Sequence, residues 1–95
     1  MKHINKNEKV KHRNGPLKSA QIRAARALLR WSAVDLARES TVGVATIRRA
    51  ELNDGAPSMT TANDLAVRHA LEGGGVEFID ENGGGAGVRL LKSGK

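Results

Sequence analysis

The amino-acid sequence predicts a mainly α-helical fold, with four to five short helices followed by a C-terminal β-hairpin. Between residues 18 and 71 the apolar residues recur every three to four positions, which is the spacing of a helix. After the three glycines at residues 73–75 the spacing changes to two in the runs VEFI and VRLL, which is typical of strands. Since a chain of 95 residues can bury only one small core, we expect a single domain.

The first two helices are predicted by apolar spacing and by a cap. Residues 18–30 are rich in alanine, a strong helix former, and their apolar spacing predicts the first helix. One face of this helix carries Ile22, Ala25, Arg26 and Leu29. Ser32 and Asp35 then form a capping-box pattern, which predicts a second helix over Ala33–Ser40.

The third helix is predicted over Val44–Leu52, with Ile47 and Ala50 facing inward, and it ends at the turn signal NDGAP. Thr60 or Thr61 can cap a fourth helix, which stops at the three glycines. The glycine-rich loop DENGGGAG joins the two strand-like runs into a hairpin. Because a two-stranded ribbon is only marginally stable alone, it needs packing or a partner strand.

Positive charge is concentrated at the ends of the chain. The formal net charge is +6, and residues 1–18 carry six basic residues against one acidic residue. We interpret residues 1–15 as a flexible basic arm, since they have no hydrophobic period and end in Gly15-Pro16. Such an arm on a near-neutral body suits a polyanion such as DNA, although an acidic membrane surface would also attract it. A solubilising tail without a binding role is the alternative.

The second and third predicted helices fit a helix-turn-helix unit, because only a short turn separates them. Residues 21–57 resemble the phage-repressor-like (Cro/CI or XRE type) helix-turn-helix family in QIRAARALL, WS, DLA, a valine at the turn, ATI and a glutamate four residues after that isoleucine. Residues 60–90 resemble small bacterial regulators that append a hairpin to this unit. The resemblance implies a transcriptional regulator that binds double-stranded DNA.

Arg26 is expected to form an ion pair. It lies on the apolar face of the first helix, where an unpaired guanidinium would be costly, so it should have a carboxylate partner. The resemblance implies that this partner is Glu51, and that the pair braces the first helix against the third. The alternative is that Arg26 is an exposed residue on the helix surface.

Ala45 and Arg49 are predicted to face away from the core, because steps of about 100° per residue place them opposite the inward Ile47. Arg49 is the expected base contact, since a guanidinium can hydrogen-bond both O6 and N7 of guanine. Ala45 and Val44 can touch a thymine methyl group. The resemblance also implies base contacts at Val44, Ala45 and Arg49.

DNA phosphates are expected at and near the N-terminal ends of the second and third helices, where free backbone N–H groups favour an anion. The expected phosphate contacts are Ser32, Ala33, Gly43, Thr46 and Arg48. The expected arm contacts, on the DNA backbone or in a minor groove, are Lys9, Lys11 and Arg13. A merely solvated basic face is the alternative for Arg48 and Arg49.

The turn of this unit has an unusual order of residues. Thr41 stands where a glycine is usual, and Gly43 stands at the N-cap of the third helix. A β-branched threonine with positive φ loses about 1–2 kcal/mol. Either the turn bears that strain, or Gly43 takes over part of the bend.

A single short helix reads few base pairs, so we expect a homodimer on two half-sites about one helical turn apart. The expected dimer interface is the hairpin, through strand pairing or through Val76, Phe78, Val88 and Leu90. This divides the chain into an arm (1–15), a helix-turn-helix domain (16–72) and a hairpin with a basic tail (73–95).

Composition argues against several other classes. There is no cysteine or tyrosine, and the three histidines lack metal-ligand spacing, so we expect no enzyme, no metal and no cofactor. No apolar run approaches membrane length and no signal peptide is evident, so we expect a cytoplasmic protein without membrane contact. The main alternative function is a protein-interaction module of the same fold. It would be an antitoxin or antiactivator that binds a protein regulator, with secondary DNA binding or none.

Overall fold

The structure, a computed structural model, describes residues 15–52 and 59–91. Within these ranges the chain forms α1 (Ser19–Leu29), α2 (Ala33–Ser40), α3 (Val44–Leu52), α4 (Thr61–Gly74), β1 (Val76–Ile79) and β2 (Gly87–Leu90). The two strands form an antiparallel hairpin. This order confirms the predicted fold class. Most of the predicted arm and the predicted turn at residues 53–57 lie outside the described residues.

The four helices share one core with the first residue of β1. Each helix contributes buried apolar side chains, and the segment before α1 and the turn before α3 each add one. The core comprises Leu17, Ile22, Ala25, Ala33, Leu36, Val42, Ile47, Ala50, Val67, Leu71 and Val76. Burial of a single Leu, Ile or Val side chain contributes roughly 1.5–3 kcal/mol, so this core holds the helices together. None of the described helices has the length and apolar character needed to cross a membrane.

The helices α2 and α4 begin at side-chain caps. The Ser32 hydroxyl accepts a hydrogen bond from Asp35 N at 2.9 Å, and Ser32 N donates to Asp35 Oδ2 at 2.8 Å. This reciprocal bonding confirms the predicted capping box. Of the two candidate caps of α4, Thr60 is the one used, since its hydroxyl accepts from Asn63 N at 3.1 Å.

The end of α4 passes close to α1. A Cβ atom on Gly74 would lie 2.8 Å from Cδ1 of Leu29 and 2.9 Å from Cζ2 of Trp31. Gly75 follows with a φ of 120°, a conformation that favours glycine. The helix therefore ends within the predicted run of glycines, because the chain turns at Gly75, and a side chain at Gly74 would require Leu29 and Trp31 to shift.

The hairpin packs against helices of its own chain. Its strands pair Val76 with Leu90 and Phe78 with Val88, which places these four side chains on one face. The guanidinium of Arg68 on α4 lies over the Phe78 ring, 5.5 Å from its centroid. This packing supplies the support that a two-stranded ribbon lacks alone.

Gln21 on α1 also fastens the hairpin, a role that the sequence did not indicate. Its side chain is buried, and Nε2 donates a hydrogen bond to Gly87 O at 2.9 Å. The strand β2 begins at Gly87, one residue before the predicted run VRLL, because the pairing register sets Gly87 opposite Ile79. The hydrogen bond from Leu91 N to Gly75 O, 2.8 Å long, continues the pairing beyond β2.

The apolar hairpin residues expected at a dimer interface pack mainly against other residues of the same chain. Val76 is 1% exposed and belongs to the core, and Phe78 and Val88 pack against that core. Leu90 differs from these three, since it is 51% exposed. The expectation for Val76 is therefore corrected: its side chain has no surface left for a partner, because the hairpin folds onto α1 and α4.

Candidate nucleic-acid interface

The turn between α2 and α3 is built on a buried serine. The Ser40 hydroxyl donates a hydrogen bond to Leu36 O at 2.7 Å and accepts one from Val42 N at 3.1 Å. Both Ser40 and Val42 are buried, so this hydroxyl satisfies a backbone donor that water does not reach. The sequence did not indicate this role, because a serine at a helix end is ordinary.

Thr41 adopts a left-handed backbone conformation, with φ 61° and ψ 18°. Gly43 is not among the described residues with positive φ, so the turn bears the strain at Thr41 and not at the glycine. Gly43 O accepts a hydrogen bond from Ile47 N at 3.1 Å, as the N-cap residue of α3 should. The structure thus decides between the two predicted forms of the turn.

Arg26 and Glu51 form the predicted ion pair. Arg26 Nε donates to Glu51 Oε2 at 2.8 Å, and Nη2 donates to Oε1 at 2.7 Å. The remaining nitrogen, Nη1, donates to Trp31 O at 2.9 Å. The hydrogen bonds to Glu51 raise the pKa of Arg26 above its ordinary value, although partial burial opposes this. One guanidinium therefore joins α1, the connection to α2, and α3.

Two further α1 side chains hold the C-terminal end of α3. The buried Ser19 hydroxyl donates to Ala50 O at 2.5 Å, and Arg23 Nη1 donates to Glu51 O at 2.6 Å. The last carbonyl groups of a helix have no partner within the helix, so these bonds satisfy them. Ser19, Arg23 and Arg26 follow one another at helical spacing, and this spacing is the signal that could have revealed the row.

One side of α3 is exposed. Ile47 and Ala50 are buried, as predicted. The exposed residues of α3 lie at positions i, i+3, i+4 and i+7, and we name them the α3 stripe: Ala45, Arg48, Arg49 and Leu52. Val44 and Thr46 are partly buried, and Val44 packs against the core. The predicted contact residues of α3 thus fall on or beside one exposed surface.

Neither Arg48 nor Arg49 forms a salt bridge with any described residue. Within that part of the chain, the hydrogen bond of Arg49 is a long one, from Nη2 to Thr46 Oγ1 at 3.5 Å. Basic residues near the hairpin are paired instead: Lys18 with Glu81, Arg68 with Glu72, and Arg89 with Glu77. The α3 stripe therefore carries two positive charges that form no salt bridge with a described carboxylate.

The N-terminal end of α2 already holds a carboxylate. Asp35 accepts hydrogen bonds from Ser32 N at 2.8 Å and from Arg38 Nη2 at 2.9 Å. The bond from Ser32 N, and next the bond from Arg38, lower the pKa of Asp35 below its ordinary value. A phosphate at Ser32 and Ala33 would meet this negative charge, which reduces the contribution expected from these two residues.

The predicted arm contacts lie outside the described residues: Lys9, Lys11 and Arg13. The first described residues, which follow the predicted arm, are held by α4. Arg68 Nη2 donates to Gly15 O at 2.7 Å, and Leu17 N donates to the buried Asp64 at 3.1 Å. These bonds fix Gly15 and Leu17, at the start of the described residues, on α4.

Comparisons of the chain with models of known protein families, with curated proteins and with solved structures found no match. In residues 15–52 and 59–91, no group of three His, Cys, Asp or Glu side chains is placed to hold a metal ion. The function of the α3 stripe is therefore inferred from its own chemistry.

Proposed function

We propose that this protein is a sequence-specific transcriptional regulator that binds double-stranded DNA and reads the major groove with α3. The observation that carries this proposal is the α3 stripe, whose two exposed arginines have no acidic partner among the described residues. A helix that enters a groove benefits from a fixed position, because ordering a loose element on binding costs affinity. The row of Ser19, Arg23 and Arg26 provides that fixed position for α3.

Arg49 is the proposed base contact. A guanidinium that bonds both O6 and N7 of guanine contributes about 1–3 kcal/mol of discrimination against other bases. Its bond to Thr46 is long, so little is lost when the side chain turns toward a base. Ala45 is exposed and available to a thymine methyl group, whereas Val44 offers only the part of its side chain that the core leaves exposed.

Arg48, Thr46 and the backbone of Gly43 are the proposed phosphate contacts of α3. Arg48 is exposed beside Arg49, and Gly43 lies at the helix N-terminus, where N–H groups favour an anion. Each phosphate that a cation neutralises releases counterions, so the affinity should fall steeply with salt. Ser32 and Ala33 contribute less, because the Asp35 carboxylate lies at the same end of α2.

A homodimer on a two-half-site operator follows from the small size of the reading surface, since α3 has nine residues. On β2 and just after it, Leu90 is 51% exposed and Leu91 40% exposed, so these two side chains are available to a second copy. We expect the double substitution Leu90→Glu, Leu91→Glu to give a monomer in light scattering, and Leu65→Glu on α4 to leave the dimer unchanged. A dimer that survives the double substitution would exclude this surface.

The direct test is to select fragments from a random double-stranded DNA library with the purified full-length protein. We expect an enriched motif with two half-sites about 10 base pairs apart. Arg49→Ala should lose the preference at one position of each half-site. Arg89→Ala, which removes a paired arginine from the hairpin, should keep the whole motif. A folded wild-type protein that enriches no motif would contradict the proposal.

A protein-binding function is the second candidate, and Leu52 is the observation that favours it. This leucine is 76% exposed on the α3 stripe, where an apolar side chain suits a protein partner better than a phosphate backbone. An antitoxin or antiactivator with this fold would use the stripe to bind another regulator. The substitution Leu52→Ser distinguishes the two functions. If Arg49 reads DNA, the variant should select the same DNA motif as the wild type. If the stripe is instead a protein interface, the variant should no longer bind its protein partner.

A further inference from the structure

The helix α1 ends in a left-handed residue that is not glycine. Arg30 has φ 61° and ψ 38°. Arg30 N donates to Ala27 O at 3.1 Å, and Trp31 N donates to Arg26 O at 2.9 Å. These two bonds form a Schellman motif, in which glycine fills the left-handed position at the lowest cost. The stability of the helix end therefore does not account for an arginine at this position.

The Arg30 side chain is exposed and, within the described ranges, has no hydrogen bond or salt bridge. Four other arginines of these ranges contact a carboxylate: Arg26, Arg38, Arg68 and Arg89. Arg23 is bonded to the end of α3. Arg30 thus shares its lack of a described acidic partner with the two arginines of the α3 stripe.

Arg30 is also connected firmly to α3. Trp31 O, in the next residue, accepts a hydrogen bond from Arg26 Nη1 at 2.9 Å. The same guanidinium holds Glu51 on α3 through two bonds of 2.8 and 2.7 Å. The connection that carries Arg30 is therefore fixed relative to the α3 stripe, so its backbone needs little ordering when a ligand binds.

We propose that Arg30 binds a backbone phosphate of the half-site that α3 reads. This inference rests on the proposed function. A guanidinium matches a phosphate well, because it can donate two parallel hydrogen bonds. A phosphate is favoured over a base because Arg30 lies in the connection before α2 and not on the helix that enters the groove, and phosphate contacts fix the position of such a unit on the duplex.

The substitution Arg30→Gly separates this role from a structural one, because it removes the guanidinium and relieves the left-handed strain together. We expect a Tm equal to or higher than that of the wild type, and weaker binding to all DNA sequences by a common factor. The proposed homodimer carries Arg30 in both copies, so the variant loses two phosphate contacts per operator, and the negative slope of log K against log salt should become shallower by about 1.8. The loss of affinity relative to the wild type should then be roughly 12-fold larger at about 50 mM salt than at about 200 mM salt.

Three control variants isolate the contribution of the charge at Arg30. Thr41→Gly relieves the other left-handed residue without removing a charge, so Tm should not fall and the salt slope should not change. Arg89→Gln removes one positive charge from the hairpin, and it too should keep the slope. Arg30→Lys retains the charge and should keep most of the slope. If Arg30→Gly is less stable than the wild type, Arg30→Gln provides the same comparison of salt slopes, because it also removes the charge.

The inference is overturned if Arg30→Gly and Arg30→Gln bind with wild-type affinity and slope while Arg49→Ala loses its base preference. In that case the proposed function stands without Arg30. A lower Tm with an unchanged slope would assign Arg30 to the fold and would also overturn the inference. A folded wild-type protein that selects no DNA defeats the proposed function itself, and this inference with it.

Discussion

The carboxylate of Glu51 receives two parallel hydrogen bonds from the guanidinium of Arg26, at 2.8 and 2.7 Å, across 25 positions of the sequence. The two side chains are only 22% and 10% exposed, so water competes weakly for either group. This pair sets the position of α3 on α1. The placement of the α3 stripe therefore depends on a contact that lies outside the stripe.

Removal of one partner of this pair should strongly destabilise the protein. Glu51→Ala leaves a largely buried guanidinium without its carboxylate, and we expect a loss of about 2–4 kcal/mol in the free energy of unfolding. Denaturation by urea measures this loss. The matched control is Glu77→Ala, which breaks the exposed pair with Arg89 and should cost at most about 1 kcal/mol. Equal losses in the two variants would show that the buried pair has no special role.

The strain at Thr41 should be removable. Thr41→Gly replaces a left-handed β-branched residue, and we expect a gain of up to about 1 kcal/mol, since the greater freedom of glycine in the unfolded chain offsets part of the relief. Gly43→Ser is the comparison, because an added side chain there meets open space and a serine cap gains only about a few tenths of a kcal/mol. Thermal melts measure both changes. A lower Tm for Thr41→Gly would contradict the assignment of strain to this residue.

Two neighbouring glycines of α4 should respond in opposite directions to alanine. A Cβ at Gly74 would lie less than 3 Å from side-chain atoms of Leu29 and Trp31, so these partly exposed side chains must shift and Gly74→Ala should cost about 1 kcal/mol. Gly73 is helical and nothing lies within 4 Å of an added Cβ, so Gly73→Ala should gain about 0.4–1 kcal/mol. Chemical denaturation of both variants tests this close approach. A destabilised Gly73→Ala, or an unaffected Gly74→Ala, would argue against it.

Asp64 and Asp35 should contribute to stability with opposite dependences on pH. Burial raises the pKa of Asp64, although the bond from Leu17 N and the charge of Arg68 oppose the shift. The folded state then binds the proton of Asp64 more tightly than the unfolded state does. The contribution of Asp64 to stability is therefore full at low pH and is lost as the pH rises from about 3.9 through the raised pKa. The lowered pKa of Asp35 has the reverse effect. The contribution of Asp35 to stability is present above about pH 3.9 and is lost as the pH falls through the lowered pKa.

The measurement is the free energy of unfolding between about pH 2 and pH 7 for the wild type, Asp64→Asn and Asp35→Asn. Asp64→Asn keeps an oxygen for Leu17 N and should remove the fall in stability above about pH 4. Asp35→Asn should remove part of the loss of stability at lower pH. Wild-type and variant curves that stay parallel over this range would show that neither carboxyl titrates differently on folding.

Much of the fold could be predicted from local signals. Apolar spacing, the Ser32 cap and the run of glycines predicted the elements within a residue or two, because these features act over a few positions of chain. The inward Ile47 and the outward Arg49 follow from the rotation of about 100° per helical residue. The pairing of Arg26 was predictable because a charge on an apolar face needs a partner, and the family resemblance implied which carboxylate it is.

The remaining features depend on which elements touch, and a local pattern does not contain that information. Alternation along the strands shows that Val76 and Phe78 share a face, but only the packing of the hairpin on α1 and α4 assigns that face to the core and not to a partner. The bonds of Ser40 and Gln21 likewise join groups that the helices bring together. The sequence by itself determined the elements and their buried faces. The tertiary structure alone decided which faces meet, because burial of a surface requires a second surface from elsewhere in the chain.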